Sequence, residues 1–467
     1  MRLTGSTPDR PLPSGEDIFA TVAELYPICR SITGDGVRRT LDIIGRLIDV
    51  ERHEVPTGTR LFDWIVPDEW NIREAHVTCV SSGERVIDFA RSNLHLLGYS
   101  VQVRARLPLA ALKEHLFSDP AHPDATPYRT SYYREAWGFC LPHRALLALP
   151  EGEYDVVVDS TLAPGSLTYG EYLHRGSGEA EVLLSAHICH PSLANDNCSG
   201  LALLAHFAAT LRGRRTRYSY RFLFAPGTIG ALAWLSANEP RLGRIRHGLV
   251  VSCVGDGGGP VYKKSRRGDA MIDRVMRHVL AAAGPDAEVM DFFPYGYDER
   301  QFCSPGFDLP VGLFQRSLFG RFPEYHSSAD DLDLVRPEHL ARSYALLAEA
   351  VDILERDRRP LNLFPKGEPQ LGRRGLYAPT GGDPEAPARN MARLWVLNLA
   401  DGRHSLLDMA ERAGMRFTEI ADAAETLARA GLIDDQASSS AREGQPRSRS
   451  DIIIGSKGQG IASVGSS

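Results

Sequence analysis

The sequence predicts an α/β fold with a mainly parallel mixed sheet and helices on both faces, joined to a small β-rich module. Two observations carry that expectation. From residue 181 onward, short apolar runs rich in Val, Leu and Phe alternate with segments of helical period. Such alternation belongs to crossover units, which lay strands in parallel and cover both faces of the sheet. Residues 54–150 instead carry short aromatic and β-branched runs punctuated by Pro and Gly, the pattern of a β-rich insertion. With 467 residues, 43% of them hydrophobic, the chain has material for two to four domains of roughly 150 residues each.

The elements follow in order. Residues 1–15 are Pro/Gly/Ser-rich and expected to be loose. "DIFATVAELYPICRSITGDGVRRTLDIIGRLI" shows two helical blocks broken by "TGDG". Residues 16–53 and 151–360 are assigned to the main domain, and 54–150 to the insertion. "EYDVVVDSTL" and "GSLTYGEYLHR" read as strands. "EVLLSAHIC" is a buried strand, and "SGLALLAHFAATLRG" is a helix with Ser199 as its N-cap. "SYRFLFAP", "RHGLVVSCVG" and "LPVGLFQRS" are further strands. "TIGALAWLSAN", "AMIDRVMRHVLAAAG" and "PEHLARSYALLAEAVDILERD" are further helices. Residues 361–385 read as a linker. "SLLDMAERAGMRFTEIADAAETLARAGLI" resembles a winged helix, which places such a domain at 386–435, followed by a disordered tail at 436–467.

Composition removes several function classes. A net charge of −6 does not suit a nucleic-acid binder, which is usually basic. Seven cysteines without a CxxC pair argue against a disulfide framework and for a reducing, cytoplasmic setting. The first twenty residues hold no apolar signal core, and no run of roughly 18 apolar residues suggests a membrane span.

The chemistry concentrates in "SAHICHPSLANDNCSG", residues 185–200. His187 ends a strand, and Asp196 sits between Asn195 and Asn197 at a helix start. A carboxylate there can bridge metals while the flanking amides fix the loop. His326 in "EYHSSADDLDLV" and Asp256 in "VVSCVGDGGG" follow two later strands. Strand ends converge at the carboxyl edge of such a sheet. Two His with carboxylates suit a catalytic Zn²⁺ that keeps a position open for water.

"ANDNCSG" resembles the "GANDNASG" segment of the di-zinc aminopeptidases, a fold shared with the glutaminyl cyclases. "YHSSADDLDLV" and "YGYDERQFCSPGFDLPVGLF" resemble two later segments of that family. "SITGDGVRRTL", "FDWIVPDEW", "SYYREAWGFC", "CHPSLANDN" and "DERQF" are similar to a group of aminopeptidase-like proteins with an inserted β module and a C-terminal winged helix. The resemblance implies His187, Asp196 and His326 as metal ligands. Asp256 is taken as the remaining aspartate ligand, with Cys253 an equal alternative in that loop. Where the family has an aspartate two residues after its first histidine, this chain has Cys189. The family's pair of glutamates is absent from "FAPGTIGALAWL", where Gly227 and Thr228 stand. Loss of a ligand glutamate favours one zinc over two. Asp298 and Glu299 in "YDERQF" are the candidate replacement bases. His190, Arg300, Arg316 and Tyr325 are candidate substrate contacts, with salt bridging as the alternative role for the two arginines. Tyr132, Tyr133 and Trp137 either line the pocket or pack the module's core.

The leading expectation is a zinc-dependent hydrolase of an amide bond in a short peptide, an aminoacylated metabolite or an N-acyl sugar. The rivals are a single-zinc acyl transferase or cyclase, and a non-catalytic ligand-binding or regulatory protein. The acidic winged helix points to protein contact or homo-oligomerisation rather than nucleic acid, and no membrane partner is expected.

Overall fold

Four apolar runs form the parallel centre of an eight-stranded sheet. They lie in the order Ser219–Ala225, Glu181–His187, Ile245–Val251, Val311–Gln315. All but one of their residues are buried, which requires cover on both faces. The margins are mixed. Ser166–His174 runs antiparallel to 219–225 and carries Glu51–Pro56 on its outer side, also antiparallel. Val261–Lys263 runs antiparallel to 311–315, with Glu288–Met290 parallel to it at the edge. These two three-residue strands are too short to leave a period in the sequence.

The computed structural model describes residues 12–376 and 383–435. It divides into two compact units, Met1–Arg356 and Asp357–Ser467. The disordered tail expected at 436–467 lies outside the described residues, as do 1–11 of the loose N-terminus and 377–382 of the linker.

In the first unit, the helices Gly15–Leu25, Gly200–Leu211 and Pro337–Arg356 pack on one another. Ile18, Val22 and Leu25 are buried at helical spacing, each worth about 1.5–3 kcal/mol over exposure. Ser14 accepts from Asp17 N–H while Asp17 accepts from Ser14 N–H, a reciprocal cap that sets where the helix starts. The "TGDG" break behaves as expected. Gly34 has φ 95°, and a Cβ there would lie 2.2 Å from Trp70 O, so only glycine fits. The helix Asp35–Gly45 starts directly after it. On a separate cluster, Ile229–Asn238 packs against 166–174 and the short helix Glu299–Phe302.

The inserted module is a four-stranded antiparallel sheet in the order Arg85–Asp88, Glu69–Cys79, Glu153–Ala163, Val103–Pro108. Its extent differs from the sequence boundaries. The run 153–163 pairs within this sheet, whereas Glu54 to Pro56 belong to the edge strand of the large one. Both segments read as strands, and sequence alone does not say which sheet a strand joins.

In the second unit, Ala386–Leu399, Leu406–Ala413 and Phe417–Arg429 form a helical core. Leu361–Asn362, inside the expected linker, pairs antiparallel with Ile433–Asp434. Among the described residues no helix is long and apolar enough to cross a membrane.

Candidate metal centre and active site

The 181–187 strand ends on His187, the 219–225 strand runs into Gly227 and Thr228, and the 245–251 strand runs into Ser252 and Cys253. All three exits lie at the carboxyl edge of the sheet, where side chains from separate loops meet. His326 comes from the loop after 311–315. Backbone strain marks the same place: Thr228, Cys253 and His326 have φ of 63°, 49° and 56°. Such φ values in non-glycine residues persist only where the surroundings enforce them.

Asp196 is the hub. It is fully buried in the single turn Ala194–Ser199. His187 Nε2 lies 2.8 Å from its Oδ1, and His326 Nε2 lies 3.0 Å from its Oδ2. His190 Nε2 stands 4.0 Å from the same Oδ2, and His190 Nδ1 is 3.1 Å from His187 Nδ1. Burial opposes charge on Asp196, but His190 and His187 outweigh it and hold the carboxyl well below its usual range. Burial likewise opposes a charged His187, yet Asp196 raises it to about 10. His190 is driven well below its usual value by burial, helped by its two histidine neighbours and resisted by Asp196.

The donor set fits a divalent transition metal. One ligand atom each from His190, Asp196 and His326 lie within 4.8 Å of one another, and so do those of His187, Cys189 and His190. Imidazole and carboxylate together suit zinc.

The turn that presents Asp196 is braced from several sides. Asn195 Nδ2 donates to Asp256 Oδ2 at 2.8 Å, and its Oδ1 accepts from Gly255 N–H. Asn197 Nδ2 donates to Val251 O, and its Oδ1 accepts from Gly200 N–H. Asp330 accepts from both Asn195 N–H, at 2.6 Å, and Asp196 N–H, at 2.9 Å. Burial raises the Asp330 carboxyl to about 8. Arg30 donates through Nε to His190 O and through Nη2 to Cys198 Sγ. Asp330 and Arg30 were absent from the sequence-based candidates, although both stand in quoted motifs, "YHSSADDLDLV" and the approach to "SITGDGVRRTL". Ser199 does not cap the helix by its side chain. Its hydroxyl donates to Asn195 O and accepts from Val254 N–H instead.

A cavity of about 370 Å³ opens beside the cluster, with His187, His190 and His326 in its wall. Asp298 faces it, buried, with Oδ1 accepting from Thr228 N–H at 2.6 Å. Burial raises its carboxyl to about 6. Arg300 and Tyr325 also line the cavity, and Tyr325 stacks on His326 at 4.0 Å between ring centroids. Tyr132 and Tyr133 reach it from the inserted module, whereas Trp137 stacks on His115. Tyr128 and Tyr297 were missed. Tyr128 lies against His190 and His326, and Tyr297 stacks on His187. An aromatic in a loop gives no signal of facing a site until the loop is placed.

Three candidates are not brought to the cluster. Asp256 accepts from Asn195, Gly258 N–H and Ser317 Oγ; these bonds make it a loop brace rather than a ligand. Glu299 lies away from the cavity, buried against Lys263 Nζ at 2.5 Å, so it is not placed to act as the base. Arg316 is buried, is not in the cavity wall, and interacts with Asp256. His190 moves the other way, from expected substrate contact into the side-chain groups that could hold a metal ion. Cys253 Sγ sits 3.2 Å from Tyr297 Oη.

Together these features define an aminopeptidase-like α/β protein with a C-terminal winged helix. Residues 19–357 match the family described as a domain of unknown function (DUF4910), and the chain belongs to it. Residues 358–435 match a winged helix-turn-helix model. A Clostridium acetobutylicum protein, named for polysaccharide biosynthesis and an aminopeptidase-like domain, is 50% identical over 90% of this chain and 96% of its own. The crystal structure of a Clostridium acetobutylicum protein titled as a peptidase has a TM-score of 0.86 at 49% identity, covering 90% of this chain and 96% of that one. A Bacillus subtilis zinc aminopeptidase has a TM-score of 0.52 at 14% identity, covering 73% and 95%; that likeness shows the fold.

Proposed function

We propose that this chain is a zinc-dependent hydrolase that cleaves an amide bond in a small peptide or acylated metabolite. One observation carries the reading. Histidines 139 positions apart (326 − 187) close on opposite oxygens of one buried carboxylate, beside a cavity that Asp298 alone lines with a carboxylate among the described residues.

His187, His190, Asp196 and His326 would hold the metal, with Cys189 at the margin. Bound zinc polarises a carbonyl and lowers the pKa of water toward about 7. The remaining chemistry belongs to the chain. Asp298, poised near neutrality, takes a proton from the attacking water and returns it to the departing amine. It occupies the role of the glutamate absent at Gly227–Thr228, reaching that spot from the opposite loop through the Thr228 N–H. Tyr128 and Tyr297 keep their protons, since burial raises both well above the usual phenol value. Both line the cavity beside the histidines, where a neutral phenol can donate to negative charge developing on the carbonyl oxygen once it turns from Tyr132 or Cys253. A cavity of about 370 Å³ admits a small molecule rather than a folded polypeptide. The name of the Clostridium acetobutylicum relative supports an acylated sugar among the possible substrates.

The test is metal analysis of purified protein beside turnover of an amide panel in ¹⁸O-labelled water. One zinc per chain and label in the released acid are expected. Stoichiometric zinc with unlabelled product would favour the transferase or cyclase. Absence of zinc would return the chain to a binding role. For the second unit we propose protein contact, supported by Glu419, Asp422 and Glu425 on Phe417–Arg429; a salt-sensitive gel shift with DNA would refute it.

A further inference from the structure

Arg300 stands two residues beyond Asp298 in the cavity wall; its charge favours the anions of Asp298 and Glu299, yet it makes no close salt bridge with a carboxylate among the described residues. Its Nε is buried and makes no hydrogen bond. Its Nη2 has a single distant contact, 3.4 Å to Thr228 Oγ1, and its Cζ lies 6.0 Å from the Tyr295 ring centroid. A guanidinium is a rigid fork matched to a carboxylate, and in a cavity wall it is costly to leave unmatched.

The cavity is equally informative about what it lacks. Asp298 is the one carboxylate among the described residues that line it, while Arg129, Arg300 and three histidines line it too. With Asp298 engaged in proton transfer, no carboxylate among the described lining residues remains to receive a substrate ammonium. An ammonium placed there would lose water without gaining a carboxylate counter-charge and would face the like charge of Arg129 and Arg300. The mouth supplies the complementary apolar surface. Trp64, Tyr133 and Tyr295 are exposed and line the opening, with Trp64 and Tyr133 edge to face at 5.5 Å.

We propose, resting on the hydrolase reading, that the substrate is an N-acylated amino acid: an amide flanked by a carboxylate and lacking a free ammonium. Arg300 receives the carboxylate, and the aromatic mouth receives the acyl group. Hydrolysis joins the water oxygen to the acyl carbon and breaks the C–N bond. The proton carried by Asp298 passes to the departing nitrogen, giving a carboxylic acid and a free amino acid. The site thereby rejects the free amino terminus that an aminopeptidase needs.

Three probes isolate the two charges. N-acetylphenylalanine and glycylphenylalanine differ by one ammonium; N-acetylphenylalanine and its carboxamide differ by one carboxylate. Each is offered to the zinc-loaded full chain. Discrimination is read as kcat/KM where amine is released and as Kd by calorimetry where it is not. The acetyl acid is expected to lead both others by roughly 10- to 100-fold, the size of one charged hydrogen-bonded contact. Arg300→Met should erase the acid-over-amide preference while zinc content stays unchanged. Glycylphenylalanine matching or beating the acetyl acid overturns the proposal. So does a preference that survives Arg300→Met, or failure of the acetyl acid to engage at millimolar concentration. Discrimination in Kd without amine release would sink the hydrolase reading and its bond cleavage, and leave Arg300 as the carboxylate receptor of a bound N-acylated amino acid.

Discussion

Replacing Lys263 with Met tests what Glu299 does. The two side chains are fully buried, with Nζ 2.5 Å from Glu299 Oε1. The ammonium also donates to Tyr295 O at 2.7 Å and Phe293 O at 3.2 Å, and lies 4.3 Å from the Phe293 ring centroid. Glu299 depends on this partner, because neither of its oxygens accepts a well-directed hydrogen bond. Burial alone raises its carboxyl, and Lys263 counters that. Removing one member of a buried pair strands the other, which costs about 3–5 kcal/mol. For a unit this large that corresponds to a fall of about 6–10 °C in Tm, at about 2 °C per kcal/mol. The double variant Lys263→Met/Glu299→Met should recover most of the loss, because a well-packed apolar pair replaces an ion pair at little net change. Thermal unfolding of both single variants and the double variant closes the cycle. A loss under about 1 kcal/mol for Lys263→Met, or additive losses in the double variant, would refute the reasoning. The same pair pins Gly296: a Cβ there would lie 2.3 Å from Glu299 Oε1 and 2.8 Å from Lys263 Nζ. The pair therefore shapes the Tyr295–Tyr297 wall from behind, and Glu299→Gln should lower stability while sparing turnover per folded molecule.

Asp298→Asn should lower turnover by about 10²–10⁴-fold with zinc still bound; turnover within threefold of wild type would exclude it as the base. Its carboxyl is raised to about 6, and only the deprotonated form accepts a proton. Activity should therefore climb with pH along a limb no higher than about 6, since a bound cation favours the anion; a limb unchanged in Asp298→Glu would contradict this assignment. His187→Ala and His326→Ala should each lose stoichiometric zinc by atomic absorption, and retention by both would dissolve the proposed centre. Asp330→Asn places an amide where a carboxylate accepts from Asn195 and Asp196 N–H. It should weaken zinc binding by about 10–100-fold in a competition titration, with unchanged affinity as the contrary result.

What the sequence by itself determined is whatever depends on local pattern. Buried runs such as "EVLLSA" and "SYRFLFA" announce central strands because both their faces must be apolar. "TGDG" separates two helices because Gly34 alone tolerates its backbone and the approach of Trp70 O. His187, Asp196 and His326 were legible as a candidate set because few side-chain types bind metals, and the structure brings the three together. The tertiary structure decided which charges meet. Asp256, Glu299, Arg300 and Arg316 are equal as letters; loop paths made the first a brace and the second a buried ion partner, placed the third in the cavity wall, and buried the fourth beyond it. Asp298 stands at the gap left by the missing glutamates because Thr228 N–H points at it from a strand end seventy residues away in sequence. Electrostatics acts through space, and distance through space is what a one-dimensional string leaves open.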